Sequence, residues 1–182
     1  RLLLERGIEP PILVLAGKRG YGIEDLTQQL KASHNLGGRI RIIEGLDDAA
    51  LATLYEACLF TLFPSFVEGW GLPVGESLAH GKVCVASTTT AIPEVGGEFI
   101  LGIDPYNSRG GADVIANLLS NPEELRRREE QIRVGFQPRS WNDFGKAFLA
   151  TLRNTGTAGQ HGLVLQPLEM LQPRSPPTAW SH

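Results

Sequence analysis

At 182 residues, with 42% hydrophobic and 7% aromatic residues, the chain is long enough for one domain with a real core. Its 17 basic and 20 acidic residues leave a net charge of −3 with no long basic block, which speaks against a protein that grips nucleic-acid phosphates. No apolar run approaches the roughly 18 residues of a membrane span, and the opening Arg1-Leu2-Leu3-Leu4-Glu5-Arg6 is too short and too soon charged for a secretory signal.

In chain order, Arg1 to Glu5 reads as a helix, and PILVLA (11–16), ended by Gly17, as a buried strand. Ile23, Leu26 and Leu30 recur at helical spacing within 23–33. Alternation over Arg39 to Glu44 predicts a second strand. Asp47 then offers an N-cap to a helix carrying Leu51, Leu54, Tyr55 and Cys58. Leu59 to Phe63 is the next strand, stopped by Pro64-Ser65. After a glycine-rich loop, Pro73 suits a first helical turn and Gly81 closes that helix. Val83 to Ala86 and Phe99 to Ile103 predict two more strands, and 110–120, 122–134 and 141–152 predict helices. Alternating strands and helices imply a Rossmann-like α/β fold, a parallel sheet with helices on both faces. Cys58 and Cys84 lie inside apolar runs and read as small buried hydrophobes in a reducing, cytoplasmic setting. From Arg153 to His182 there are three charged residues, four prolines and three glycines with no sustained period, so 153–182 reads as a disordered tail behind a domain of residues 1–152.

The chemistry concentrates in PSFVEGWGLPVGESLAHG (64–81), a strand–loop–helix passage at the carboxyl edge of the sheet, where open α/β folds bind ligands. Gly69 and Gly71 let a ligand approach the backbone. The first turn near Leu72, Pro73 and Val74 offers unpaired N–H groups and the positive end of a helix dipole, which suit a phosphate. Glu68 precedes that turn and Glu76 is placed inside it, so a carboxylate on either side can accept hydroxyl hydrogen bonds. A phosphate flanked by such carboxylates is what a nucleotide-sugar requires. The plainer readings stand beside it: Glu76 serving the helix dipole, Glu68 solvated, Trp70 anchoring the loop, Lys18 and Arg19 in a solvated turn.

EGWGLPVGE, with seven residues between Glu68 and Glu76, resembles the paired-glutamate motif of family 4 glycosyltransferases of the GT-B fold. The segments LVLAGKRGYG (13–22), FPSFVEGWGLP (63–73), AHGKVCVAS (79–87), IPEVGGEF (92–99) with DPYN (104–107), and SWNDFGKAFLATL (140–152) resemble further parts of that family in the same order, over about residues 1–152. The resemblance implies the donor-binding half of a retaining, metal-independent enzyme that moves a hexose from a nucleotide-diphosphate sugar to an acceptor hydroxyl. Glu68 would hold donor-sugar hydroxyls as the catalytic residue, and Glu76 the ribose. The backbone of Gly69, Trp70, Gly71 and Leu72 would meet the sugar and distal phosphate. Gly17 and Lys18 would lie beside the pyrophosphate, and Ile43 to Leu46, Glu44 among them, would border the base. No cofactor is implied beyond the donor substrate. The acceptor, a glycan or lipid-linked sugar, would be bound by an N-terminal half this chain does not match, with peripheral membrane attachment where that acceptor is lipid-linked.

Gly75 departs from the larger aliphatic the family prefers and lowers helix propensity by about 1 kcal/mol; Val83 replaces a common proline. The family's domain opens with a strand that the chain lacks ahead of Arg1, so residues 11–16 and 59–63 would flank a vacancy with exposed, sticky backbone edges, and a fragment without transfer activity is expected. No Asp-x-Asp occurs, which argues against the metal-dependent alternative fold, and no Cys/His cluster suggests zinc. Gly75 to Lys82 imitates a P-loop, but Val83 stands in the Ser/Thr place. His34, His80, His161 and His182 have no paired nucleophile and acid. The rival function is a non-catalytic nucleotide-sugar binding or assembly module.

Overall fold

The computed structural model describes residues 1–18, 20, 23–138 and 141–156, the side chains of 141 and 154–156 excepted. Two compact units divide at Pro138 and Arg139.

The first unit begins with the short α1 (Leu2–Glu5) and strand β1 (Leu13–Ala16), followed by α2 (Glu24–Ala32). A five-residue turn, α3 (His34–Gly38), leads to β2 (Ile40–Ile43). Helix α4 (Asp48–Ala57) precedes β3 (Thr61–Phe63), α5 (Leu72–Ala79) and β4 (Cys84–Ser87). The unit closes with α6 (Ile92–Gly96), a 3-10 turn, β5 (Ile100–Ile103), α7 (Ser108–Ser120) and α8 (Pro122–Gly135). Every ladder is parallel: β1 pairs with β2, Leu13 opposite Ile40, while β3 pairs with β4 and β4 with β5, Cys84 lying opposite both Thr61 and Ile100. The α/β architecture expected from the sequence is present. The strands form two ladders, β1-β2 and β3-β4-β5, and β1 does not pair with β3.

The core sits on the second ladder. All four residues of β4 are buried, as an apolar strand covered on both faces must be. Val74 and Leu78 of α5, Ile92 of α6, Leu118 of α7 and Ile132 of α8 close over it. Cys84 is fully buried and its thiol is pushed up to about 11 by desolvation, so it behaves as the apolar filler expected. Cys58 is only half-buried, and its sulfur contacts the Tyr55 carbonyl at 3.2 Å. In the first ladder, by contrast, Leu13 and Ile42 remain exposed, as do Ile12 just before it and Leu26 on α2.

Local signals hold closely. The Asp47 carboxylate accepts from Ala50 N at 2.8 Å, capping α4. Gly81, at φ +69°, ends α5: its N–H bonds Leu78 O and that of Lys82 bonds Ser77 O, the paired bonds of a Schellman motif. Two features went unanticipated. Residues 34–38 wind left-handed, with His34, Asn35 and Leu36 at φ +48° to +53°, each at a cost of about 1–2 kcal/mol. The short α6, opened by Pro93 in its first turn, spans five residues, too few to show a helical period.

The second unit contains α9 (Trp141–Gly156), which runs four residues past the expected end at 152. Phe144 and Phe148 stack along it with centroids 6.2 Å apart. The remainder of the expected tail, from Thr157 onward, lies outside the described residues, as does Arg19.

Replacing the α4 cap, Asp47→Ala, is expected to destabilise the chain by about 1 kcal/mol, read as a lower denaturant midpoint at unchanged slope. An unchanged midpoint would show that the helix start is held by packing instead.

Candidate functional site

Strand β3 ends at Phe63 and delivers the chain into the loop 64–71 that opens α5. The turn into the helix depends on Gly71, at φ +91° and buried against Ile92, a conformation any Cβ would strain. Pro73 has no N–H, and Val74 N bonds Gly71 O at 3.0 Å. The orphan donors at this helix end are therefore not those of Pro73 and Val74, as the sequence suggests. They belong to the junction itself: among the described residues, the N–H groups of Gly69, Trp70, Gly71 and Leu72 meet no protein acceptor. Trp70 and Leu72 are more than half exposed, so the junction is open to solvent.

Glu68 is half-buried and held from two sides. Its backbone N–H donates to Thr90 Oγ1 at 3.0 Å, and Ser65 Oγ donates to its Oε1 at 3.2 Å. Thr89 Oγ1 adds a contact of 3.3 Å to Phe66 O. The loop after β4 thus clasps the loop after β3, an arrangement the sequence reading missed. The signal available was the run Thr88-Thr89-Thr90 directly after a buried strand. Thr90 sits at φ +54°, unfavourable for a β-branched residue, and in that conformation its hydroxyl meets Glu68 N.

Glu76 is the fifth residue of α5 and so lies in its second turn, not the first as the spacing suggests. The helix-dipole explanation weakens accordingly, because the field falls off within the first turn. Its exposed carboxylate accepts a hydrogen bond at 2.9 Å from Tyr55 Oη on α4. Burial, and then the carboxylate itself, push the Tyr55 hydroxyl well above its ordinary range, so it stays a protonated donor. The Tyr55 ring stacks on His80 at 5.2 Å and 14°. Gly75, the departure noted beside Glu76, faces Val95 of α6; a Cβ there would stand 3.4 Å from Val95 Cγ1.

The other candidates lie on the first ladder. Gly17 and Lys18 follow β1, and Glu44 follows β2. Gly17 N is taken by Ile43 O at 3.1 Å, so its amide is not free for a phosphate, while Lys18 is exposed. The structure therefore brings Glu68, Gly69, Trp70, Gly71, Leu72 and Glu76 onto one strand–loop–helix passage and leaves Gly17, Lys18 and Glu44 at the carboxyl end of a separate ladder. Lys82, the lysine of the P-loop imitation, donates to Cys58 O at 3.0 Å and lies 3.8 Å from Glu129, a structural tie.

Residues 1–134 match the family model described as glycosyl transferases group 1. The chain belongs to that family. It is 30% identical over 148 residues to the O-antigen chain mannosyltransferase B of Escherichia coli, a match spanning 81% of this chain and 33% of that protein. It is 32% identical over 130 residues to the MMP alpha-(1->4)-mannosyltransferase of Mycolicibacterium hassiacum, 70% of this chain and 30% of that one. The chain thus spans about a third of the length of these curated relatives. Its fold matches the crystal structure of Anabaena Alr3699/HepE in complex with UDP at a TM-score of 0.67 and 18% identity, covering 79% of this chain and 41% of that one. Among the described residues no helix is long and apolar enough to cross a membrane.

Thr90→Gly is expected to relieve about 1–2 kcal/mol of left-handed strain while losing a hydrogen bond worth about 1 kcal/mol. Thermal stability then holds or rises slightly, and affinity for a nucleotide-diphosphate sugar falls because Glu68 is released. Calorimetric melting and ligand titration of the same variant check both halves. Unchanged affinity would show that the clasp does not serve the site.

Proposed function

We propose that this chain is the donor-binding half of a retaining glycosyltransferase of family 4 with the GT-B fold, transferring a hexose from a nucleotide-diphosphate sugar to an acceptor hydroxyl without a metal. The observation that carries the reading is the row of unpaired amides from Gly69 to Leu72, set at a helix N-terminus between two tethered carboxylates. Membership of the glycosyl transferases group 1 family supports it. So do the two mannosyltransferase relatives and the UDP bound in the HepE structure.

In this mechanism the demanding step is departure of the nucleoside diphosphate as the bond to the anomeric carbon breaks. Preformed N–H groups aimed at the distal phosphate stabilise the charge that develops there, without reorganisation during the reaction. The helix dipole of α5 adds to the same end, and Lys18 supplies counter-charge. Glu68, one oxygen held by Ser65, offers the other to donor-sugar hydroxyls and fixes the ring against the departing group. Glu76 takes the ribose hydroxyls. Trp70 covers the sugar–phosphate junction, Gly17 lies beside the pyrophosphate, and Glu44 borders the base. The acceptor is bound by a separate N-terminal half, so the 182-residue chain alone binds donor and transfers nothing.

Saturation-transfer NMR against UDP- and GDP-sugars is expected to show binding to the wild-type chain. Glu68→Ala should lose the hexose signals and Glu76→Ala the ribose signals, each with roughly a tenfold or greater loss of affinity, as for hydrogen bonds to a charged group. Binding that survives both substitutions would sink the assignment. Glycosyl transfer by the purified chain would overturn the need for a second half.

A further inference from the structure

We infer that Tyr55 is the positioning residue of the ribose-binding carboxylate: its hydroxyl fixes the Glu76 side chain from the neighbouring helix and thereby sets the preference for a ribose over a deoxyribose. The inference rests on the assignment of Glu76 to the ribose and adds a residue outside the glutamate motif.

Glu76 projects from the exposed side of α5, whose buried residues are Val74, Ser77 and Leu78. A glutamate there has three side-chain torsions and no packing to hold them, and ordering it on a ligand costs rotamer entropy. Tyr55 removes part of that freedom in advance. It comes from α4, 21 residues earlier, and donates to Oε2 at 2.9 Å. Its ring is half-buried and lies nearly parallel to His80, the C-cap of α5 one turn beyond Glu76, so the tyrosine is located before the carboxylate is. The high proton affinity of its hydroxyl, caused by burial and by Glu76, keeps it a donor across the physiological range.

An ionised carboxylate has about four acceptor positions. The Tyr55 bond takes one on Oε2 and leaves Oε1 with no hydrogen-bond partner among the described residues. A carboxylate held by one oxygen presents the other at a set place, which is preorganisation of a polar contact. The sugar hydroxyls of a ribonucleotide gain from that placement. A nucleotide without the 2′-hydroxyl gains less, so the effect of Tyr55 appears in the difference between the two.

The test titrates the 182-residue chain calorimetrically with UDP and GDP, each beside its 2′-deoxy counterpart. Tyr55→Phe keeps the ring, its stacking and its volume, and circular dichroism is expected to match wild type. It should cut the ribo-over-deoxy preference roughly three- to tenfold, the span of one ordinary hydrogen bond, with a smaller loss of affinity for the deoxynucleotide. Glu76→Ala should abolish the preference, and adding Tyr55→Phe to it should change nothing further. Equal weakening of both nucleotides by Tyr55→Phe, or a further loss in the double variant, would overturn the inference, since either shows the tyrosine acting other than through Glu76. A Glu76→Ala chain that keeps the full preference, or a wild-type chain that binds neither nucleotide, overturns the ribose assignment itself and the inference with it. Loss of the preference in Glu76→Ala but not in Tyr55→Phe removes the inference alone.

Discussion

The arrangement depends on four backbone amides, Gly69 to Leu72, that find no protein acceptor among the described residues. A strand that ran straight into a helix would direct its first N–H groups into the turn or toward side-chain caps. Here Gly71 stands at the N-cap, where no side chain can answer them, and its left-handed conformation swings the chain sharply from β3 into α5. Pro73 removes one donor, and Val74 returns its own to Gly71 O. What remains is a concentrated set of donors at a junction whose Trp70 and Leu72 are exposed, a state compatible with water or an anion and with little else.

Such a junction needs a rigid support, and the distribution of burial supplies one. Strand β4 is wholly buried and carries the threonine loop at its carboxyl end. Ile92, fully buried, backs Gly71 from α6, and Val74 and Leu78 root α5 in the same cluster. The ladder β1-β2 is different: its strands keep exposed apolar side chains, and the turn leading to β2 is left-handed over three non-glycine residues. Stability within the first unit is therefore uneven, with the strongest packing under the carboxylate-flanked loop and the weakest around β1 and β2.

The elements of the fold were largely legible because they rest on signals that act within a few residues. Asp47 caps α4, Pro73 enters α5 and Gly81 leaves it as their chemistry requires, since each satisfies or removes a donor on the spot. The glutamates could also be located on one loop–helix passage. What escaped were the interactions that cross from one element to another. Thr90 lies 22 residues from Glu68 and Tyr55 lies 21 from Glu76, and nothing in local periodicity joins either pair. The ties of Lys82 are equally invisible locally, since its partners are Cys58 on the approach to β3 and Glu129 on α8. The helix starts at Leu72 as the proline pattern indicates, and Glu76, its fifth residue, falls just past the first turn, into the second.

These cross-element ties explain why the two carboxylates are alike in one respect. Each has one oxygen held by a hydroxyl: Ser65 on Oε1 of Glu68, Tyr55 on Oε2 of Glu76. Each keeps its other oxygen without a hydrogen-bond partner among the described residues. A fully solvated carboxylate would sample many rotamers, and one with both oxygens bonded would have little to offer a hydroxyl. Holding one oxygen and leaving the other open is the compromise that gives direction without loss of acceptor capacity. The holding groups come from the loop after β3 for one glutamate and from α4 for the other, while the β4 loop fixes the backbone of the first. The geometry is accordingly a property of several elements, and the glutamate motif by itself accounts for only part of it.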